Sequence, residues 1–258
     1  MNLVIDQMKK HRSIRKYKDL EVSDEVINEI LSAGITASSS GNMQSFSIIV
    51  TRDRELRERM LEAHFNQTMV TEAPVLITFC ADFHRMRLWL EQSNAPMNFD
   101  NFMSFMIATI DATLVSQNVA LAAESLGLGI CYMGTTLASC DKIGDILGCP
   151  DHVVPVVGFS LGYPDESPSE RKRLPLDSLI HRETYQDFDT EKIKESYKDR
   201  EVLGWERYMA LPELKKMIEE SDVENLAQVY TKLKYTRESH IEYSESVMNY
   251  LKRSGFLT

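Results

Sequence analysis

Ala122-Ala123-Glu124-Ser125-Leu126-Gly127-Leu128-Gly129-Ile130-Cys131-Tyr132-Met133-Gly134-Thr135-Thr136 is the stretch on which the architecture of this chain turns. It begins in the longest helical segment, about Asn101 to Ser125, which is apolar on most of its circumference and reads as a central, largely buried helix. Gly127 and Gly129 end that helix. Ile130 to Met133 follows as a strand, and Gly134-Thr135-Thr136 as a tight turn.

The pattern continues outward in both directions. Upstream, Ser23 to Ile35 has a capping hydroxyl, acids in the first turn and apolar residues at helical spacing. Phe46 to Thr51 is a β-branched and aromatic strand, Arg54 to Phe65 a helix with a charged outer face, and Pro74 opens a strand over Val75 to Ala81. Downstream, Ser139 to Leu147 is a short helix closed by Gly148 and Pro150. Val153 to Leu161 is a nearly continuous apolar strand, buried on both faces, that stops at Gly162-Tyr163-Pro164. Asp165 to Arg173 is a polar loop. Beyond His181 the chain becomes charged and helical, with helices near Thr190–Tyr197, Pro212–Glu220 and Glu224–Phe256. Alternating strands and helices give a layered α/β or α+β domain with an appended helical segment.

The 258 residues allow one large domain or two small ones. Apolar residues at 43% and charged residues at 26% describe a globular chain. Twenty-nine Lys and Arg against 39 Asp and Glu leave a net charge of −10, which excludes the broad basic face of a general nucleic-acid binder. Asp111, Gln117, Asn118 and Glu124 interrupt the most apolar stretch, so it reads as a core helix and no membrane partner is expected. The first residues carry no basic-then-apolar leader pattern. Cys80, Cys131, Cys140 and Cys149 form no C-x-x-C pair and have no His at ligand spacing, so they read as free thiols of a cytoplasmic protein, with no metal.

Four clusters could carry chemistry. Lys9 to Lys16 holds five basic residues in eight, with His11, Arg12, Ser13 and Arg15 together: either a solvated patch or a donor set for a phosphate or a ring carbonyl. Ser38-Ser39-Ser40-Gly41-Asn42-Met43-Gln44 lies between a helix and a strand, and is either an ordinary turn or a loop dense in donors and acceptors. Tyr132, Gly134 and Thr135 close a strand where glycine lets the backbone approach a flat ligand. Arg171-Lys172-Arg173 is a second basic run that could clamp the same phosphate. The G-x-G-x-x-G, P-loop, G-x-S-x-G and H-E-x-x-H patterns are absent. His64 and His84 read as loop or helix-surface residues, and the Phe102, Met103, Phe105, Met106 stripe as core or dimer contact.

Taken in order, His11-Arg12-Ser13-Ile14-Arg15, Ser38-Ser39-Ser40 with Gln44, Ala122 to Gly129 with Tyr132 and Gly134, and Gly162-Tyr163-Pro164 followed by Arg173-Leu174-Pro175 resemble the FMN-dependent nitroreductases, in the oxygen-insensitive nitroreductase and NADPH–flavin oxidoreductase branch. The resemblance spans about residues 8 to 185. It implies an α+β three-layer fold, a mixed or antiparallel sheet flanked by helices, as one domain over 1–258 with a core about 8–185 and a helical tail about 186–258. It implies an intertwined homodimer with FMN at the interface and the long helix as the dimer core.

By the same resemblance His11 and Ser13 hold the FMN phosphate, helped by Arg171 and Arg173, and Arg12 of the same motif is a further cofactor-binding residue. Arg15 lies under the N1/O2 edge of the ring, and Gln67 bonds the pyrimidine edge. The backbone N–H near Gly134 and Thr135 points at N5, Tyr132 of the same motif is a further cofactor-binding residue, and Ser38, Ser39, Ser40 and Gln44 belong to the serine motif, with Ser39 and Ser40 reaching in from the second subunit. The implied activity is two-electron reduction of nitroaromatics, quinones or flavins by NADPH or NADH. A flavin-binding redox module with little turnover, or a specialised flavin reductase or dehalogenase, is the alternative on the same fold. Thr135 stands where relatives often have a second Gly. Leu137 stands where NADPH-preferring relatives tend to carry Arg, which leaves the nucleotide open, although tail arginines such as Arg200 or Arg207 could substitute.

Overall fold

The computed structural model describes residues 2–257. The chain divides into two compact units, Met1–Ser169 with Tyr243–Thr258, and Glu170–Glu242.

The first unit is built on a four-stranded sheet of β1 (Phe46–Thr51), β2 (Val75–Asp82), β3 (Gly129–Tyr132) and β4 (Val153–Gly162), in the order β1-β2-β4-β3. All three strand pairs are antiparallel. The two central strands are the two unbroken apolar runs: every residue of β2 is buried, and β4 is buried except at Val157. Helices α1 (Leu3–Lys9), α2 (Asp24–Gly34), α3 (Arg54–Met60), α4 (Met69–Glu72), α5 (His84–Gln92), α6 (Phe102–Ser125), α7 (Thr135–Ala138) and α8 (Cys140–Leu147) surround it. The fold is α+β with an antiparallel sheet, as the resemblance implies.

The helix starts follow their caps. Ser23 Oγ accepts the Val26 N–H, and Asn101 Oδ1 accepts the Ser104 N–H at 3.1 Å. Gly34 lets α2 lie directly on Val119 of α6, where a Cβ would collide with that side chain. Phe79, Phe159, Ile30, Val115 and Val119 are fully buried between the sheet and these helices, each contributing about 2 kcal/mol.

The long helix, expected to be largely buried and to form the dimer core, is buried on one side in the single chain. Ala108, Asp111, Ala112, Val115, Ser116 and Val119 face the core, whereas Met103 is 65% and Ile110 52% exposed in the single chain, beside exposed Phe102, Met106 and Leu114. Among the described residues α6 is the one helix long and apolar enough to cross a membrane. Its packing against α2 and the sheet is that of a core helix.

Other boundaries shift. The helix expected to reach Phe65 stops at Met60, because the chain turns through Phe65 (φ 57°) and Asn66 (φ 55°). α1 and α5 have no counterpart in the sequence reading: α1 is a short polar-flanked helix with no buried residue, and α5 shows no clear apolar face.

The second unit contains a 3-10 turn (Leu176–Ser178), α9 (Thr190–Met209), α10 (Pro212–Glu219), α11 (Leu226–Gln228), a π turn (Val229–Lys234) and the start of α12 (Arg237–Arg253). Tyr208, Ile218, Leu226 and Val229 form its own small core. α9 continues a further 12 residues past Tyr197, and the expected helix from Glu224 to Phe256 is broken at the π turn.

Candidate functional site

The cationic N-terminal segment is fastened along the sheet edge at β3. Ile14 N–H donates to the Ile130 carbonyl at 2.8 Å, and Ser13 pairs with Ile130 in an isolated parallel bridge. Gly129 makes the approach possible. A Cβ there would lie within 3.0 Å of three side-chain carbons of Ile14, itself buried. On either side of this anchor, His11 Nδ1 lies 2.6 Å from Glu124 Oε1 at the end of α6, and the Arg12 guanidinium donates to the His11 carbonyl at 2.8 Å. The Arg15 and Lys16 N–H groups both donate to Glu166 Oε1, at 2.5 and 3.2 Å. The Arg15 residue itself is exposed. Glu124 and Glu166, the two carboxylates that fix the segment, are ones the sequence reading did not single out as site residues.

β3 delivers three further expected residues beside this segment. Tyr132 donates its hydroxyl to Ser116 Oγ at 3.2 Å, and burial pushes its phenol up to about 12, so it is a neutral wall. Gly134 is exposed with φ −61°, and nothing lies within 4 Å of where its Cβ would be. Among the described residues neither the Gly134 nor the Thr135 N–H has a hydrogen-bond acceptor. Two uncommitted backbone donors therefore stand at an open face.

Thr135 is held from behind. Its Oγ1 lies 2.8 Å from His64 Nδ1 and accepts from Gln67 Nε2 at 3.3 Å, while Gln67 Nε2 also reaches the His64 carbonyl at 3.0 Å. The turn that brings both side chains here places Phe65 and Asn66 in the left-handed region, which costs about 1–3 kcal/mol for a bulky residue. His64, read from the sequence as a loop or helix-surface residue, lies in the turn after α3 and is buried there. It is 1% exposed, and burial lowers its ring pKa to about 4. The charged helix before it conceals this, since no periodic signal marks where that helix ends.

The serine loop is a second built feature. Ser40 N–H donates to Asp111 Oδ1 at 2.9 Å, and Ser45 gives its N–H and hydroxyl to Asp111 Oδ2 at 3.3 and 2.7 Å. Ser39 Oγ accepts the Gln44 N–H at 3.3 Å, and the Gln44 carbonyl accepts from Arg85 at 2.6 Å. Gly41, Asn42 and Gln44 all have positive φ. Ser38 is exposed. Asp111 was visible in the sequence only as a polar break in an apolar helix; fully buried, it organises this loop. Among the described residues no hydrogen bond joins Ser38–Gln44 to the corner formed by His11–Arg15, Tyr132, Gly134, Thr135 and Gln67. Arg171 and Arg173 are exposed residues of the second unit.

A separate open cleft of about 780 Å³ runs along Lys16–Val22, Arg52, Arg57 and Thr71–Val75. Two of its cations are already engaged: Arg52 with Glu21 and Asp24, and Arg57 with the Thr71 and Ala73 carbonyls. None of residues 132–135 lines it.

The sequence model of the nitroreductase family matches residues 8–163. The FMN reductase (NADPH) of Bacillus subtilis is 35% identical over 187 residues, covering 72% of this chain and 75% of that protein. Among solved structures, an oxidoreductase from Bacteroides fragilis is 41% identical with a TM-score of 0.90, over 98% of this chain and 100% of that one. The NADPH:FMN oxidoreductase of Vibrio harveyi, solved with NAD+, is 28% identical with a TM-score of 0.79, over 99% of both chains. With a family match over more than half its length, on segments that include the β3 corner, this chain belongs to the nitroreductase family.

Proposed function

We propose that this chain is an FMN-dependent NAD(P)H oxidoreductase that reduces small aromatic or quinone acceptors, or free flavins, in two-electron steps. The observation that carries the reading is the pair of uncommitted N–H groups at Gly134 and Thr135, at an exposed glycine with open space on its Cβ side, beside a cationic segment pinned to the same strand. A flat ring needs that open face and those donors, and a phosphate needs the cations. The residues present therefore fit FMN. The relatives named for NADPH-dependent reduction of FMN support the same reading.

When bound, FMN supplies the hydride-accepting and hydride-donating chemistry. The chain's residues bind and tune it. His11, oriented by Glu124, joins Ser13 and Arg12 at the phosphate. Arg15 presents its charge to the pyrimidine edge, where negative charge accumulates on reduction, and Gln67 bonds that edge. Tyr132 stays neutral and closes the strand side. The Gly134 and Thr135 amides donate toward the reacting edge.

The active form is a homodimer. The exposed row of Met103, Met106, Ile110 and Leu114 on α6, with Leu3, Val4, Ile5 and Met8 of α1 also exposed, offers an apolar face to a second copy. Ser38, Ser39, Ser40 and Gln44, separate from the corner in one chain, then act on the partner's flavin. Leu137 is exposed in α7 and carries no cation for a 2′-phosphate, so NADH serves beside NADPH. Free thiols at all four cysteines suit the cytoplasm.

Anaerobic mixing of FMN-loaded protein with NADH or NADPH, followed by menadione, tests this. Bleaching of the visible flavin band and its recovery on adding quinone are expected. Protein that stays colourless after incubation with FMN would rule the reading out.

A further inference from the structure

One fully buried histidine lies behind the Gly134–Thr135 turn and is not itself required to bind FMN. His64 is 1% exposed and meets Thr135 Oγ1 at 2.8 Å. Gln67 Nε2 donates to the same oxygen at 3.3 Å, and the hydroxyl keeps its proton, which it can donate to His64 Nδ1 when the ring carries its own proton on Nε2. The three groups form a directed chain, Gln67 N–H to Thr135 O–H to the imidazole. That direction requires a ring unprotonated at Nδ1, and burial keeps the ring neutral down to about pH 4. The left-handed backbone at both Phe65 and Asn66 turns the chain between the two side chains that bracket Thr135. Thr135 is the residue whose N–H lacks an acceptor, next to the open Gly134.

We infer that His64 is a positioning residue which, through the Thr135 hydroxyl, holds the Gly134–Thr135 amides in the direction the flavin needs. The inference rests on the proposed FMN site and adds a residue to it. His64 touches neither flavin nor substrate. It acts by preventing the turn from rotating its donors away. Gln67 then has two duties, one toward Thr135 and one toward the ring edge, so the chain also sets the position of the Gln67 amide.

Two measurements test this. Nitrogen NMR of the apoprotein, labelled at histidine, reads the tautomer directly. His64 is expected as the Nε2–H form, with no titration between about pH 5 and 8. FMN titration by fluorescence quenching then compares variants whose folding is checked by circular dichroism and melting. His64→Leu and Thr135→Val should each weaken FMN binding about tenfold, and the double variant should be no weaker than the worse single one. His64→Asn, which places an acceptor near the Nδ1 position, and Thr135→Ser should both stay within about twofold of the unaltered chain. If His64→Leu fails to fold, Thr135→Val and Thr135→Ser carry the comparison. A ring that titrates near its ordinary value, unchanged affinity in the single variants, or losses that multiply in the double variant would each overturn the inference while leaving the FMN site standing. Failure of the unaltered chain to take up FMN would overturn both.

Discussion

The Ser40 N–H donates to Asp111 Oδ1 at 2.9 Å across 71 residues of chain. With the two bonds from Ser45, this makes a fully buried carboxylate of α6 the fixed point of the serine loop. A buried carboxylate is tolerable only because its acceptors are filled by that loop. The same helix displays the apolar row proposed to meet a second copy, so one helix carries both the loop's anchor and the proposed dimer face.

Asp111→Ala should therefore lower stability by about 3 kcal/mol, since it strands two N–H groups and a hydroxyl without an acceptor. Asp111→Asn keeps one acceptor oxygen and should cost less. Urea unfolding of both variants gives the order; equal midpoints for Asp111→Ala and the unaltered chain would contradict it.

Gly134→Ala is expected to leave stability unchanged within about 0.5 kcal/mol, because its φ is −61° and the added Cβ meets nothing. Gly134→Val puts bulk on the open face, and FMN affinity should fall more than about tenfold with the melting temperature preserved. Isothermal titration alongside a thermal melt separates the two effects. Loss of both together would mean that the turn is structural only.

Gly129→Ala should behave in the opposite way. Its Cβ would lie within 3.0 Å of three Ile14 side-chain carbons, so the N-terminal segment must shift or lift from β3 at a cost of about 1–3 kcal/mol. Faster proteolysis before residue 20 and a lower melting temperature are the expected signs; unaltered protection would refute the close packing.

Acid should weaken the fold partly through His64. Its ring pKa falls from 6.5 in the unfolded chain to about 4 in the fold, so between these values the unfolded state binds the extra proton. The contribution is fully present above pH 6.5 and is lost as pH falls toward 4, with about 2 kcal/mol gone by pH 5. His64→Leu should flatten this part of the pH dependence. Equal slopes for variant and unaltered chain, from urea midpoints at pH 7 and 5, would show that burial does not depress this ring.

Much of the fold was legible in the sequence because the two central strands are unbroken apolar runs and glycines mark both ends of β3. The N-terminal motif was legible as a cationic cluster against an acidic background. What fastens these parts was not. Glu124 and Glu166 hold the His11–Lys16 segment from 113 and about 150 residues away, a pairing that neither periodicity nor local spacing encodes. His64 was read as a loop or helix-surface residue, and its burial was not foreseen. The left-handed turn that buries it contains no glycine, so it carries no local signal. Asp111 looked like a polar interruption, and its purpose is visible only once Ser40 and Ser45 are folded against it. A third of α6 is exposed in the single chain, which the sequence did not foretell because a mostly apolar pattern does not distinguish burial in one chain from burial between two.

The most direct test is stoichiometric. The apoprotein is titrated with FMN while its mass is followed by sedimentation, in the unaltered chain and in Ile110→Glu. The account predicts a dimer that binds one FMN per chain, and an Ile110→Glu monomer that has lost the flavin. A monomer that binds FMN as tightly as the dimer, or a dimer that binds none, would contradict it.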